Sequence, residues 1–436
     1  MGRPWLNILT LAIAGLVVSC SGAQTPVGSS QDVSEVHNPP DILDLADLQE
    51  YVLAYCWRSL TGGTPGGTHT NIIVSRGNGD SPNIITSPRP SRFSAVNLGC
   101  FGLEESLFRG GHPLAWRPGH AQLTMALGPA DLPDSFYFVD IDAQGGLVVH
   151  RPGQIIEGIR DYLDGPYYEL EWSPDGDWLA TRGLGVDVPG LEDVWLYNPD
   201  TNQIKQVTDL SKSHDPVKRL GWAASGKYLA MSYSLSLAGV GITRLDDMSY
   251  ISVSNETQAA LRNWSQKWSD PTFRFQAQLD GSSRPVWIDQ DQRVVFTAPA
   301  TDGRVTLFVV NADGSDLREL LIGLPGLVNL PTLSADGSKL AFVRFPEWAE
   351  VPDRAEIAVV DLKTMDLASL ILIPAPPNGD MLYISGLDWT PDGKYLAFSS
   401  DHGGQSDVYV ISADGQAWVN LTEDLDGDAV NPIWHP

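Results

Sequence analysis

The chain has 436 residues, with 54 acidic side chains against 28 basic ones and a formal net charge of −26. Such an excess of negative charge excludes nucleic acid or another polyanion as partner and a flat seat on an anionic membrane, while remaining compatible with cationic ligands, basic protein patches or calcium. Three cysteines are too few for a zinc framework.

Residues 1–19 read as a processing segment rather than as structure. Arg3 supplies a positive start, residues 6–18 are largely apolar, and the run closes on Val17-Val-Ser-Cys20 before Ser21-Gly22. About 13 apolar residues fall short of the ~20 that a membrane span needs. A small residue directly before a cysteine at the end of such a run resembles the lipobox of bacterial lipoproteins. The resemblance implies lipidation at Cys20, and more than one acyl chain anchors stably because each buried CH₂ contributes about 0.8 kcal/mol. The competing reading is an ordinary signal peptide with an incidental cysteine. Residues 21–40 are polar and rich in Ser, Gly and Pro, a flexible tether that cannot bury enough apolar surface to order itself. The stretch DILDLADL at 41–48 predicts a short helical turn. The expected organisation is therefore a signal peptide over 1–19, a lipidated cysteine and tether over 20–48, and one folded domain over 49–436.

That domain is organised by a repeat, clearest at 387–422 in LDWTPDGKYLAFSSDHGGQSDVYVISADGQAWVNLT. Read with period two, it holds four short strands joined by two tight turns and one looser loop. Thr390-Pro-Asp-Gly393 and Ala413-Asp-Gly415 carry the turn chemistry, since proline presets φ, aspartate bonds back to the backbone and glycine accepts φ > 0. The first half recurs as Trp172-Ser-Pro-Asp-Gly-Asp-Trp-Leu-Ala180 and Trp222-Ala-Ala-Ser-Gly-Lys-Tyr-Leu-Ala230, and in weaker form from Trp116, Trp287 and Leu333. The second half recurs from Asp193, Val305, Glu356, Ser135 and Ser249. The repeat length is roughly 45–65 residues, that of a four-stranded propeller blade with looped excess. A lone meander cannot bury both its faces, so copies must stack.

The chain ends complete one another. Val430-Asn-Pro-Ile-Trp-His-Pro436 is a first strand and the start of its turn, while residues 50–55, 71–75 and 83–86 supply the missing later strands. The expected fold is all-β: a seven-bladed β-propeller, six-bladed as the alternative, of four-stranded antiparallel blades, closed by pairing of the C-terminal strand with N-terminal strands. These residues, WSPDG, then an apolar strand, then Asp-[Ile/Val]-Tyr-Val, a turn and Leu-Thr, resemble the repeat of TolB-type propellers, also called WD40-like or PD40 repeats. The resemblance spans residues 50–436 and implies a recognition or scaffold role. The chain carries no counterpart of the separate N-terminal α/β domain of TolB.

With the four strands of a unit labelled A to D from inside to outside, short A–B and C–D turns fall at one end of the strands, so the long B–C loops and D–A crossings share the other, and variable loops on a rigid scaffold are where binding resides. That face carries tryptophans the repeat does not demand: Trp57, Trp264, Trp268 and Trp348, with His402 nearby. Trp264 and Trp268 lie four apart and meet side by side on a helical turn. They read either as a protein hot spot or sugar platform, or as anchors that fold down and seal the ring. The in-register tryptophans 116, 172, 222, 287, 389 and 434 read as core, and Asp193, Asp247 and Asp407, each placed just before a third strand, read as structural. Cys56 and Cys100 fall beside one face of the shared blade and read equally as a disulfide pinning the closure or as two free thiols.

No G-x-S-x-G, HExxH, CxxC or P-loop occurs, so no catalytic, cofactor or metal residues are assigned. The scattered histidines (His69, His112, His214 and His402 on the loop face) define no coordination sphere. Asp424-Leu-Asp-Gly-Asp428 has a calcium-loop flavour without EF-hand spacing. The reading is a monomeric, non-catalytic, lipid-anchored module of the bacterial cell envelope that binds an envelope or extracellular protein, peptide or glycan. It touches the membrane through its anchor only. The alternative is an extracytoplasmic enzyme of polysaccharide lyase or hydrolase type with a pocket at the propeller centre.

Overall fold

Alternation along one strand shows how the sequence builds the domain. In Tyr395–Ser400, Leu396 and Phe398 pack into one buried cluster, whereas Ala397 between them packs into another. Side chains of period two leave a sheet on opposite faces, so burial of both faces needs a neighbouring sheet on each side. The computed structural model describes residues 41–59, 69–80, 82–86, 114–127, 135–141, 147–150, 169–184, 192–208, 217–233, 239–253, 283–300, 304–346, 353–379 and 382–436.

Among these residues the strands run as seven successive antiparallel meanders. The first combines Gly427–Trp434 with Val52–Ser59, His69–Arg76 and Asn83–Thr86, so the final strand pairs with the first long one, Trp434 opposite Leu53. The second runs Leu114–Trp116, Gln122–Leu127, Ser135–Ile141 and Leu147–His150, and the third Leu170–Trp172, Leu179–Leu184, Glu192–Asn198 and Gln203–Gln206. The fourth is Val217–Trp222, Tyr228–Tyr233, Val240–Arg244 and Ser249–Val253. The fifth, Val286–Ile288 to Arg318–Glu319, and the sixth, Leu327–Leu333 to Leu367–Pro374, join through one parallel bridge between Val305 and Leu327. The seventh, Ile384–Trp389 to Ala417–Asn420, gains a fifth, parallel strand from Asp41–Ile42. The expected helical turn is the 3₁₀ helix Leu45–Leu48, capped by Asp44.

The fourth meander corrects one assignment. Ser249–Val253 is its outermost strand, not its third, and Asp247 sits in the turn before it, accepting a bond from the Ser249 backbone. The residues that do form the third strand, Val240–Arg244, include Gly241 and lack the flanking aspartate of the repeat, so the pattern pointed one strand too late. Asp193 and Asp407 do precede third strands, and each accepts a bond from a threonine hydroxyl, Thr208 and Thr422 respectively. The same hydroxyls accept the N–H of Val194 and Val408, so the Asp and Leu-Thr ends of the repeat close one polar clasp.

Buried apolar side chains fall into seven clusters, each between consecutive meanders, and the cluster holding Leu53, Tyr55, Ala397 and Trp434 lies between the seventh and the first. The innermost strands also neighbour one another in chain order, with Gly427–Trp434 touching both Ile384–Trp389 and Leu114–Trp116.

A recurrent indole bond joins these inner strands. Trp116 donates Nε1–H to the Ile433 carbonyl at 3.3 Å, Trp172 to Thr124 Oγ1 at 2.8 Å, and Trp222 to the Glu171 carbonyl at 3.1 Å. Trp287 donates to Gly221 at 3.0 Å and Trp389 to Thr332 at 3.3 Å. In every case the acceptor belongs to the preceding meander. Leu333 stands at this position in the sixth, and the indole N–H of Trp434 has no partner among the described residues.

Replacing Trp287 by Phe keeps the ring and orphans the buried Gly221 carbonyl, so it is expected to cost about 1–3 kcal/mol. Trp434→Phe removes an N–H without such a partner and should cost clearly less. Urea unfolding of the two variants beside the parent checks the difference; equal losses would mean that the indole bond is not the source.

Candidate functional site

The inner strands do not run straight to the axis. Register shifts interrupt their ladders between Asn329 and Thr332, between Ser385 and Asp388, and opposite Ala54 and Cys56 at Asn431-Pro432. At each shift one residue takes a left-handed backbone: Leu330 (φ 52°), Gly386 (φ 65°) and Asn431 (φ 53°). A bulge of this kind places extra residues opposite one partner and re-aims the side chains around it. Pro331 and Pro432 fit there because a bulge releases a residue from donating to the ladder. Gly386 is required twice over, since a Cβ on it would lie 2.5 Å from Pro432 Cδ and 2.6 Å from Asn431 Cα.

The bulged strands surround a cavity of about 250 Å³ whose wall draws on the inner strands of the meanders and the residues flanking them, and on none of the outer strands. Its charged lining groups are Glu171, Arg219, Arg284 and Asp388, with Glu169 buried behind Arg219. Glu169 is fully buried and accepts the Leu220 N–H at 3.1 Å and Arg219 Nη1 at 3.2 Å. Glu171, two residues on, accepts Arg284 Nη2 at 2.5 Å from the fifth meander. Asp388 of the seventh meander accepts the Trp434 backbone N–H at 2.8 Å. Ser283 Oγ donates to Asn329 Oδ1 and accepts the Leu330 N–H at 3.2 Å, which ties the bulge to the fifth meander.

Removal from water disfavours the charged form of a carboxyl group. Burial, reinforced by the charges of Glu169 and Asp388 and opposed by Arg284, pushes Glu171 up to about 8. Burial also raises Asp388 to about 6, against the Trp434 N–H and Arg284. The site therefore holds a proton near neutral pH.

The residues expected to carry recognition are placed differently. Trp57 is not in a loop: it lies within Val52–Ser59, half-buried against the cluster of Leu48, Tyr55 and Trp434. The strand simply extends further than its apolar pattern, through Arg58 and Ser59. His402 does stand in a B–C loop, half-buried, with its ring 4.8 Å from Tyr409 and 5.7 Å from Trp418, and burial lowers its pKa. It does not meet the axial cavity. Trp264, Trp268, Trp348, Cys20 and Cys100 lie outside the described residues. Cys56 is fully buried and disulfide-bonded to a partner that also lies outside them. Asp428, at the end of the calcium-like stretch, is paired with Arg58 at 2.5 Å and accepts the Ser406 N–H.

Sequence reasoning missed Glu169, Glu171, Arg219, Arg284 and Asp388. One signal was present: Glu-Leu-Glu-Trp172 and Asp-Trp389 place a carboxylate one residue before the core tryptophan. Residues 169 and 171 share a strand face by period two. What brings them to Arg284 and Asp388 is the packing of inner strands from separate meanders around one cavity.

No family model matches the chain. A stretch of 133 residues, 30% of the chain, is 27% identical to a probable dipeptidyl-peptidase 5 of Aspergillus clavatus, of which it spans only 17%. Among solved structures, a prolyl endopeptidase superposes with a TM-score of 0.50 at 14% identity, over 84% of this chain and 49% of that one. TolB from Acinetobacter baumannii superposes with a TM-score of 0.46 at 15% identity, over 92% of this chain and 89% of that one. The fold is that of the β-propeller proteins, all-β and built of antiparallel sheets, with a polar cavity where the inner strands meet.

The raised pKa of Glu171 carries a sign. A carboxyl group whose folded value lies above its unfolded one stabilises the fold at low pH, and that contribution fades as pH rises through the folded value. Stability should therefore decline between pH about 5 and about 8, and Glu171→Gln should flatten the decline. Urea midpoints of both proteins across that window measure it; parallel curves would remove Glu171 as the titrating group.

Proposed function

We propose that the chain is a lipid-anchored, extracytoplasmic propeller of seven blades, closed by its first meander, which acts as a non-catalytic binding module. The observation that carries this reading is the asymmetry of its connections. At one end the turns are short and spent on themselves. Ser173 and Asp175, Ser334 and Asp336, Thr390 and Asp392, and Ser412 and Asp414 each form the same hydroxyl–carboxylate turn closed by a glycine of positive φ. At the other end lie the long connections, such as those between Asn83–Thr86 and Leu114–Trp116 and between Ser249–Val253 and Val286–Ile288. A rigid stack with all its free length on one face is suited to recognise a protein, peptide or glycan there.

Trp264, Trp268 and Trp348 belong by sequence to these long connections, with His402 at the described edge of the same face. The run ending in Cys20 supports the anchor and the envelope location. Cys100 is the partner we assign to Cys56, which ties a long crossing to the shared blade. Seven core clusters and the neighbouring inner strands support the closed ring.

A pull-down from solubilised envelope with the intact protein, compared with a Trp264→Ala/Trp268→Ala variant, tests the loop face. Loss of a partner in the variant is the expected result, and identical partner lists would remove this pair from recognition.

One observation favours a second reading. Two carboxyl groups at the cavity, Glu171 and Asp388, have pKa values raised toward neutrality, a property shared with acid–base catalysts. An enzyme of polysaccharide lyase or hydrolase type would lose turnover by about a hundred-fold or more in Glu171→Gln or Asp388→Asn. Assay of the parent and both variants on acidic and neutral polysaccharides decides between the readings, and absence of turnover by the parent retires this one.

A further inference from the structure

The axial cavity has an uneven supply of hydrogen-bonding groups. Its carboxylates already have protein donors: Glu171 takes Arg284, and Asp388 takes the Trp434 backbone. The Asn329 carbonyl takes Ser283 and Leu330. Ser385 is engaged with Ser399 at 2.6 Å. One set of donors at the wall is not used up in this way. Arg284 gives one nitrogen to Glu171, and Nε and Nη1 have no acceptor among the described residues, while its side chain remains 42% exposed.

Arg284 is also held in a way that suits recognition. Glu171, itself only 8% exposed, grips one edge of the guanidinium from the protein side. A planar guanidinium fixed on one edge presents the other as a fork that matches a carboxylate. The cavity, about 250 Å³, offers room for roughly eight waters at ~30 Å³ each, enough for a small organic acid or a chain terminus.

From the open guanidinium donors, their fixation by Glu171 and the size of the cavity, we infer that the axial cavity is a binding site for a carboxylate group on a small ligand, received by Arg284. A carboxylate entering here adds negative charge beside Glu171, Asp388 and the buried Glu169, which Arg284 and Arg219 offset only in part. Occupancy therefore favours the protonated form of Glu171, and binding takes up a proton. The site uses none of the residues of the loop face, so a pull-down unaffected by Trp264 and Trp268 leaves it standing.

Two sources share this chemistry, an acidic sugar and a peptide C-terminus. Titration calorimetry with the full chain should compare glucuronate with glucose, and N-acetylglycine with N-acetylglycinamide. The expected result is binding of one or both acids, with the matching neutral compound weaker by about ten-fold or more. Which acid binds more tightly identifies the source. Arg284→Gln should weaken the acid by about ten-fold or more. Affinity of the parent should fall as pH rises past about 8, which keeps the test open should Arg284→Gln fail to fold. Equal binding of acid and neutral compound, undiminished affinity in a folded Arg284→Gln, a flat pH profile, or no binding of either acid at millimolar concentration would each overturn the assignment.

Discussion

Much of this molecule depends on one small interaction, the bond from an inner-strand indole N–H back to the meander before it, to its inner strand in all cases but that of Trp172. Each meander is thin and buries both faces, so it has no core of its own. Its position is set by what it does to its neighbours. Apolar contact between sheets is strong but non-directional, and it would permit sliding. An N–H aimed at one carbonyl, as from Trp287 to Gly221, fixes the stagger of adjacent inner strands where they pack together. The absence of a side chain at Gly221 answers the same constraint: a Cβ there would lie 2.0 Å from the Pro285 carbonyl oxygen.

Drawing the inner strands so close has a consequence at the axis. Regular ladders cannot continue there, and the bulges at Leu330, Gly386 and Asn431 mark where the strands leave regular pairing. Left-handed backbone at a leucine is unfavourable and persists only when the surroundings over-determine it. Here the surroundings are the neighbouring bulges and the Ser283–Asn329 contact. The same irregularity opens the wall and lets polar groups stand in it. Buried charges need partners, and Glu169 with Arg219 and Glu171 with Arg284 supply them between meanders rather than within one. The axial polar groups are thus both cross-links between meanders and the chemistry of the cavity.

The two ends of the strands divide the remaining work. One end is closed by repeated Ser/Thr-x-Asp-Gly turns whose carboxylates accept backbone and hydroxyl donors, strongly enough to hold Asp336 down at about 2. Such turns have no spare hydrogen-bonding capacity. The other end carries the length that the turns do not need. The committed turns at one end of the strands and the polar axial cavity are built from different residues.

The sequence by itself determined the elements. Period-two alternation, the Asp-Gly turns and the spacing of the tryptophans are local properties, and local chemistry suffices to specify a four-stranded meander that recurs along the chain. It also predicted that Val430-Asn-Pro-Ile-Trp434 would pair with the strand after Tyr51, because each end lacked what the other held. Where local chemistry was weak, the reading slipped: around Asp247 the turn signal preceded the fourth strand, not the third, and at Trp57 the strand outran its pattern. The site was decided only by tertiary structure. Glu171, Arg284 and Asp388 are more than a hundred residues apart in all three of their pairs, and only the tryptophan that follows each of the two carboxylates hints that they are not surface charges. Packing the inner strands of separate meanders together removes these groups from water and sets them against each other. Desolvation and proximity, which made them a site, are properties of the assembled fold alone.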